Sequence, residues 1–276
     1  MNSTIQPIII NTRPLQQAVA LTTRLQGLGL EVFQCPALEI LPISDPALVR
    51  AALESLAQYQ LVIFVSPNAI EQALVHLHGA WPSATAIGVM GPGSRAALQA
   101  HGIGADMVTI ISPQQEAAGD ADKPAENLRF DSESLLLQLN RADSGVSVPL
   151  AQARVLVLRG TQGRDLIVEQ LRAQGAQVDV VACYQRRAPE LTPAQQSQWR
   201  ALAQSQRPLL LIATSSEGLR TLCQTIDALL DQTGRTWLRQ QTLVAPHPRI
   251  AEQAKQLGFA NIRLSGAGDD PIVETG

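Results

Sequence analysis

Short runs of β-branched and aliphatic residues recur along the chain, each closed by a polar turn and followed by a segment whose apolar residues return at helical spacing. Short apolar runs that give way repeatedly to a helical period are the pattern of βαβ units, so the fold is expected to be α/β with parallel sheets flanked by helices. The strand candidates are residues 8–11, 31–35, 61–65, 86–90, 108–111, 155–158, 178–181, 209–213, 243–245 and 261–264, enough for two sheets of five. Between them the helices show single buried stripes. Ile70, Ala73, Leu74 and Leu77 lie at i, i+3, i+4 and i+7, and Leu219, Leu222, Cys223 and Ile226 repeat that spacing.

The repetition extends upstream, because LVIFVSPNAIEQAL (residues 61–74) aligns without gaps on LLIATSSEGLRTLC (210–223). With gaps, the segment from Gly88 follows the same order of strand, proline-containing turn and helix as the segment from Leu243. Two proline-punctuated stretches, ALEILPISDP (37–46) and QRRAPELTP (185–193), break the rhythm and divide the chain into a beginning, a middle and an end. The expected division is a discontinuous α/β domain of residues 1–38 plus 187–276, a second of 42–183, and linkers at 37–42 and 184–189. Residues 112–127 have the composition of a surface loop within the middle part.

A length of 276 residues with 45% hydrophobic and 16% charged residues supports real cores and excludes a disordered chain. Aromatics at 3% and a net charge of -3 argue against a nucleic-acid binder and an anionic-membrane binder, which need stacking platforms or a basic field. Residues 1–7 lack a basic run leading into an apolar core, and no apolar stretch approaches the roughly 20 residues that span a bilayer. The expected place of action is the cytosol. Cys35, Cys183 and Cys223 are widely spaced, with no CxxC pair, so they read as small buried hydrophobes rather than a disulfide framework or a zinc site.

Ligands of open parallel sheets bind beyond the carboxyl ends of the strands. The turns there carry Arg13, Ser66 and Asn68, Gly91 with Ser94 and Arg95, Arg159 to Gly163 with Arg164, Thr214 with Ser215 and Ser216, and His247 with Arg249. Serine, threonine and asparagine are also ordinary helix caps, and proline and glycine ordinary turn residues, which accounts for at least half of this set. It does not account for arginines in four of six turns, beside helix amides that also favour carboxylate or phosphate groups. For any single arginine an internal ion pair is an equally good explanation. Known motifs fail when tested: Gly91 to Ala96 fits G-x-G-x-x-A, yet no acidic residue follows at the next strand end to hold a ribose, and residues 160–164 lack the ending of a phosphate loop. The four histidines lack metal-ligand spacing.

Several segments together resemble the uroporphyrinogen-III synthase family: TRP (12–14), FVSPNAIEQAL (64–74), GPGSRAAL (91–98), SESLL (132–136), LRGTQGRDLIVEQLRAQGAQV (158–178) with YQRR (184–187), and TSSEGLRTL (214–222). They span nearly the whole chain in the family's order. The resemblance implies two α/β domains joined by a two-stranded linker, a monomer, no cofactor, and hydroxymethylbilane as substrate, an octacarboxylate lying in the cleft between domains. The product is uroporphyrinogen III, formed with loss of water and inversion of the last pyrrole. It also implies that the substrate is held by Arg13, Ser66, Asn68, Gly91, Ser94, Arg159, Gly160, Arg164, Thr214, Ser215, Ser216 and His247. Tyr184, matched to the family's Y-x-R segment and expected just beyond a strand end, is the candidate proton donor to the departing hydroxyl. Two other classes remain open at this point: a two-domain small-anion-binding protein, for which a secretion signal would be expected, and a nucleotide-dependent transferase, for which a phosphate loop or acidic metal motif would be expected.

Overall fold

A computed structural model of the protein describes residues 6–113, 132–141, 143–163, 165–266 and 268–275. The chain divides into two compact units, residues 1–39 with 187–276 and residues 40–186.

The first unit holds β1 (Ile8–Asn11), α1 (Leu15–Gly27) and β2 (Val32–Gln34) from the start of the chain. From its end come α7 (Pro193–Ser205), β9 (Leu209–Ile212), α8 (Ser216–Leu229), α9 (Gln232–Arg239), β10 (Thr242–Ala245), α10 (Pro248–Gln256), β11 (Asn261–Leu264) and α11 (Asp269–Thr275). Its sheet runs β11-β10-β9-β1-β2, with every pair parallel. In chain order this is 2-1-3-4-5, so the direction of winding reverses between β1 and β9.

The second unit contains α2 (Ala47–Glu54), β4 (Leu61–Phe64), α3 (Pro67–Leu74), β5 (Ala86–Val89), α4 (Pro92–Ala100), β6 (Ile110–Ile111), α5 (Ser132–Leu139), β7 (Arg154–Gly160) and α6 (Leu166–Ala173). Two further strands, β3 (Glu39–Pro42) and β8 (Gln177–Arg187), run across the boundaries at which the chain divides. The sheet order is β3-β8-β7-β4-β5-β6, and its winding reverses between β4 and β7.

The central strands are buried along their whole length, as expected of parallel strands covered by helices on both faces. Side-chain alternation then sorts them by face. Ile8 and Ile10 join the core around Trp199, whereas Ile9 joins Leu21, Leu25 and Ile272 on the other side. Phe64 and Val62 likewise face away from Leu61 and Ile63.

One expectation is corrected here. The second sheet has six strands rather than five, because the stretch assigned as linker forms β3 and lies beside β8. None of its residues is fully buried, and the prolines at 36 and 42 made this edge strand read as linker despite Ile40 and Leu41.

The repeated segments occupy matching places. Residues 61–74 form β4 and α3, residues 210–223 lie in β9 and α8, and Ser66 and Ser215 each cap their helix by accepting from the backbone amide three residues on. Setting β9, β10 and β11 against β4, β5 and β6 leaves β1 against β7 and β2 against β8, and the two sheets then have one order. The first unit is thus a circular permutation of the second, lacking the β3 edge.

Candidate functional site

The two reversals of winding are where adjacent strand ends diverge and leave room for a ligand. Most of the sequence-derived site residues fall at them.

In the second unit, Ser66 closes β4 and its Oγ accepts from Ala69 N at 3.2 Å, so the helix amides and the hydroxyl share one turn. Asn68 lies in the first turn of α3. On the neighbouring strand, β7 and β8 slip register between Arg159 and Gly160: Arg159 faces Ala182 but Gly160 faces Tyr184. The extra residue, Cys183, and Tyr184 therefore both point into the same core, where regular alternation would have sent one to the opposite face. Tyr184 consequently lies inside β8, with no exposed surface, rather than beyond a strand end as expected. Its hydroxyl is 3.1 Å from Ser66 Oγ and accepts from Arg186 Nη2 at 2.8 Å. Gly160 is required by this packing, since a Cβ there would stand 2.9 Å from the phenol ring carbon Cζ. Arg186 also lies over the Tyr184 ring, with its guanidinium carbon 5.3 Å from the ring centre.

The turn after β7 forms a pocket of about 340 Å³ lined by residues 159–163, Asp165, Val180 and Ala182. Arg159 forms its buried cation, with a side chain only 9% exposed, and pairs with Asp165 through Nη1. Arg164 lies outside the described residues.

One strand further on, Gly91 precedes α4 and Ser94 is buried within the first turn of that helix, only 2% exposed. Arg95 is turned back on its own unit, with Nε on Ser112 Oγ at 2.8 Å and Nη2 on the Ile110 carbonyl at 3.1 Å.

In the first unit, Thr12 Oγ1 donates to the Ile212 carbonyl at 2.7 Å and ties β1 to β9 at the reversal. The Arg13 amide donates to Asn11 Oδ1 and its carbonyl accepts from Gln34 Nε2, which fixes the backbone from which the side chain springs. Its guanidinium pairs with Asp269 at 2.6 Å. Across the reversal, Thr214 and Ser215 precede α8, and the Ser216 hydroxyl is buried with no hydrogen-bond partner among the described residues. His247 lies one strand away, where Nδ1 accepts from Arg249 N at 3.1 Å and caps α10.

The structure thus gathers Ser66, Gly160 and Tyr184 into one contact set, and places Arg159 in the adjoining pocket. Thr214, Ser215 and Ser216 stand together across the reversal from Arg13. Gly91 with Ser94, and His247, occupy the next turns along each sheet. Of the two explanations open for the turn arginines, Arg13 and Arg159 each have an ion pair within their own unit, and Arg95 is held there by a hydroxyl and a carbonyl. Sequence reasoning did not single out Asp165, Asp269 or Arg186 as site residues. Asp165 and Arg186 sat inside the RG-x-x-GRD and YQRR segments, while nothing local marks Asp269 as the partner of Arg13, from which it is separated by 256 positions.

Among the described residues no group of three or more His, Cys, Asp and Glu could hold a metal, and no helix is long and apolar enough to cross a membrane.

Comparison with known proteins gives a consistent result. The family model described as Uroporphyrinogen-III synthase HemD matches residues 19–267. The uroporphyrinogen-III synthase of Escherichia coli K12 is 28% identical over 270 residues, covering 96% of this chain and 97% of the relative. That of Synechococcus elongatus is 31% identical over 222 residues, covering 78% and 73%. Among solved structures, the Thermus thermophilus enzyme (a mutant) superposes with a TM-score of 0.57 at 13% identity, covering 98% of this chain and 97% of that one. The Helicobacter pylori enzyme gives 0.55 at 14%, with the same coverage, and at these identities the likeness speaks for the fold. With a family match that covers most of its length, the chain belongs to the uroporphyrinogen-III synthase family.

Proposed function

We propose that the protein closes hydroxymethylbilane to uroporphyrinogen III by holding substrate carboxylates at the turns of both strand-order reversals and supplying a proton beside Ser66. Family membership makes it a cyclising hydro-lyase of tetrapyrrole and heme biosynthesis. The observation that carries the more detailed reading is the hydrogen-bonded set Arg186, Tyr184, Ser66 at the reversal of the second sheet.

The reaction breaks the carbon–oxygen bond of the terminal hydroxymethyl group, and the oxygen leaves as water once it gains a proton. The azafulvene that remains is electrophilic and closes unaided to the uninverted isomer, so the protein must steer as well as accelerate. Ser66 is half-buried and Tyr184 fully buried, so the hydroxyl that meets the leaving group is that of Ser66. Arg186 donates to the phenol oxygen, which leaves the phenol hydrogen for Ser66. A proton passed from Ser66 to the leaving oxygen is then replaced from Tyr184, the guanidinium stabilises the charge left on the phenol, and the proton that the cationic substrate releases on ring closure returns to it. Helix amides at the caps of α3 and α8 offer further donors to carboxylates. In this reading the protein works as a monomer in the cytosol without a cofactor.

The test is to give the purified protein freshly made hydroxymethylbilane and separate the oxidised products by isomer. Type III product formed faster than the spontaneous type I product supports the reading, and type I alone rejects it.

A further inference from the structure

Register pairing puts Arg13 and Arg159 at one place in two sheets. Leu61 faces Val155 in the second unit, and its repeat counterpart Leu210 faces Ile9 in the first. Counting along both pairs, Val157 answers to Asn11, Leu158 to Thr12, and Arg159 to Arg13. Each arginine therefore stands at the carboxyl end of the strand bordering its reversal, and each already carries a carboxylate of the same chain: Asp269 on Arg13 and Asp165 on Arg159.

The two pairs share an asymmetry. The Arg159 side chain is 9% exposed and its partner Asp165 is 64% exposed, while Arg13 is 16% exposed against 33% for Asp269. The cations are built in, and the anions are on the solvent side. Gly163 completes the seat of Arg159, because a Cβ there would stand 2.8 Å from Nη2. Asp165 also has somewhere else to go. It occupies the residue before α6, from which aspartate ordinarily accepts from the first amides of a helix, yet its side chain makes no such bond. With 64% of its side chain exposed, Asp165 can turn to solvent when an incoming carboxylate takes Arg159.

We propose that Arg13 and Arg159 are equivalent carboxylate receptors, one in each unit, and that Asp269 and Asp165 are internal carboxylates displaced from them by carboxylates of the substrate. This rests on the polycarboxylate substrate assigned above. The competing explanation is that the pairs only fasten the turn after β7 and the helix α11.

Asp165→Asn and Asp269→Asn separate the two, because asparagine caps helices as well as aspartate does but does not neutralise an arginine. The expected result is a three- to tenfold lower KM for hydroxymethylbilane in each variant, with kcat/KM raised by the same factor. A parallel titration uses the fluorescence of the octacarboxylic porphyrin obtained by oxidising uroporphyrinogen III and needs no turnover; binding should tighten by the same three- to tenfold. In an Arg159→Lys background, which keeps the charge and loses the fork, Asp165→Asn should bring no more than a small part of that gain. Porphyrin binding no tighter than wild type in both asparagine variants overturns the proposal. Wild-type protein that yields no type III product rejects the functional reading instead, and leaves the titration to decide on the receptors.

Discussion

The Trp199 indole donates to the sulfur of Cys35 at 3.4 Å, a bond between residues 164 positions apart that closes the main core of the first unit. Burial pushes the Cys35 thiol up to about 11, against a smaller opposing effect of the indole. Burial likewise lifts Cys183 to about 12 and Cys223 to about 11. At pH 8 the thiolate of such groups amounts to about one part in a thousand or less, on top of the steric barrier. An aromatic disulfide reagent should therefore label none of the three thiols in the native protein at pH 8 and all three in guanidinium. Stoichiometric labelling of any of them under native conditions would contradict this placement.

Tyr59, near the start of β4, donates to Asp179 Oδ2 at 2.8 Å, and Arg154 reaches the same oxygen at 3.0 Å. The Tyr59 hydroxyl first, then the Arg154 guanidinium, hold the Asp179 carboxyl below the usual range. A depressed folded pKa gives stability that is present above the unfolded value of about 3.9 and lost as pH falls through the folded one. Tyr59→Phe should cost about 1 to 2 kcal/mol at pH 7, and the difference from wild type should shrink below about pH 4. Denaturant unfolding at a series of pH values checks this, and a deficit that grows with acidity would refute it.

Gly160→Ala places a methyl group 2.9 Å from Tyr184 Cζ, against a ring with no exposed surface. Overpacking of this kind costs about 1 to 3 kcal/mol, and each kcal/mol corresponds to about 2 to 4 °C in Tm for a chain of this size. Turnover should fall as well, because the ring that moves carries the hydroxyl next to Ser66. Calorimetry and the isomer assay together test it; unchanged Tm and turnover would mean that the ring is not confined as described.

Ser66→Ala and Ser215→Ala remove equivalent caps, so each should lower stability by about 1 kcal/mol. If the proton passes through Ser66, that variant and Tyr184→Phe should each lose about a hundredfold in turnover, and the double variant little more than either alone. Multiplicative losses in the double variant would show that the two hydroxyls act separately.

Much of this architecture was legible in the chain. Apolar runs such as Ile8 to Ile10 and Leu61 to Phe64 mark central strands because both of their faces are covered, and the repeat at 61–74 and 210–223 foretold two helices capped by serine. What stayed hidden depended on neighbours distant in sequence. β3 is masked by the proline that ends it, and β8 continues through what looked like linker because its neighbour there is β3, whose Pro42 and Glu39 meet Gln185 and Arg187 across 143 and 148 positions. The bulge at Cys183, and hence the inward turn of Tyr184, is a property of register between two strands. The candidate turns could be named from residue type, yet the partners of Arg13 and Arg159 could not, since an ion pair at a fixed cation leaves no periodic trace.

The permuted build of the first unit bears on how the protein comes off the ribosome. Residues 40–186 form a contiguous unit whose strands can all assemble once Arg186 has emerged. β1 emerges earlier but has its inner neighbour β9 some two hundred residues later, as the Thr12 to Ile212 bond records. At a synthesis rate of about 5 to 20 residues per second, the fully apolar Ile8–Ile10 run waits for roughly ten to forty seconds with at most β2 beside it. During nascent-chain life, then, the beginning of this protein is its most aggregation-exposed part, and the piece on which chaperone dependence should concentrate.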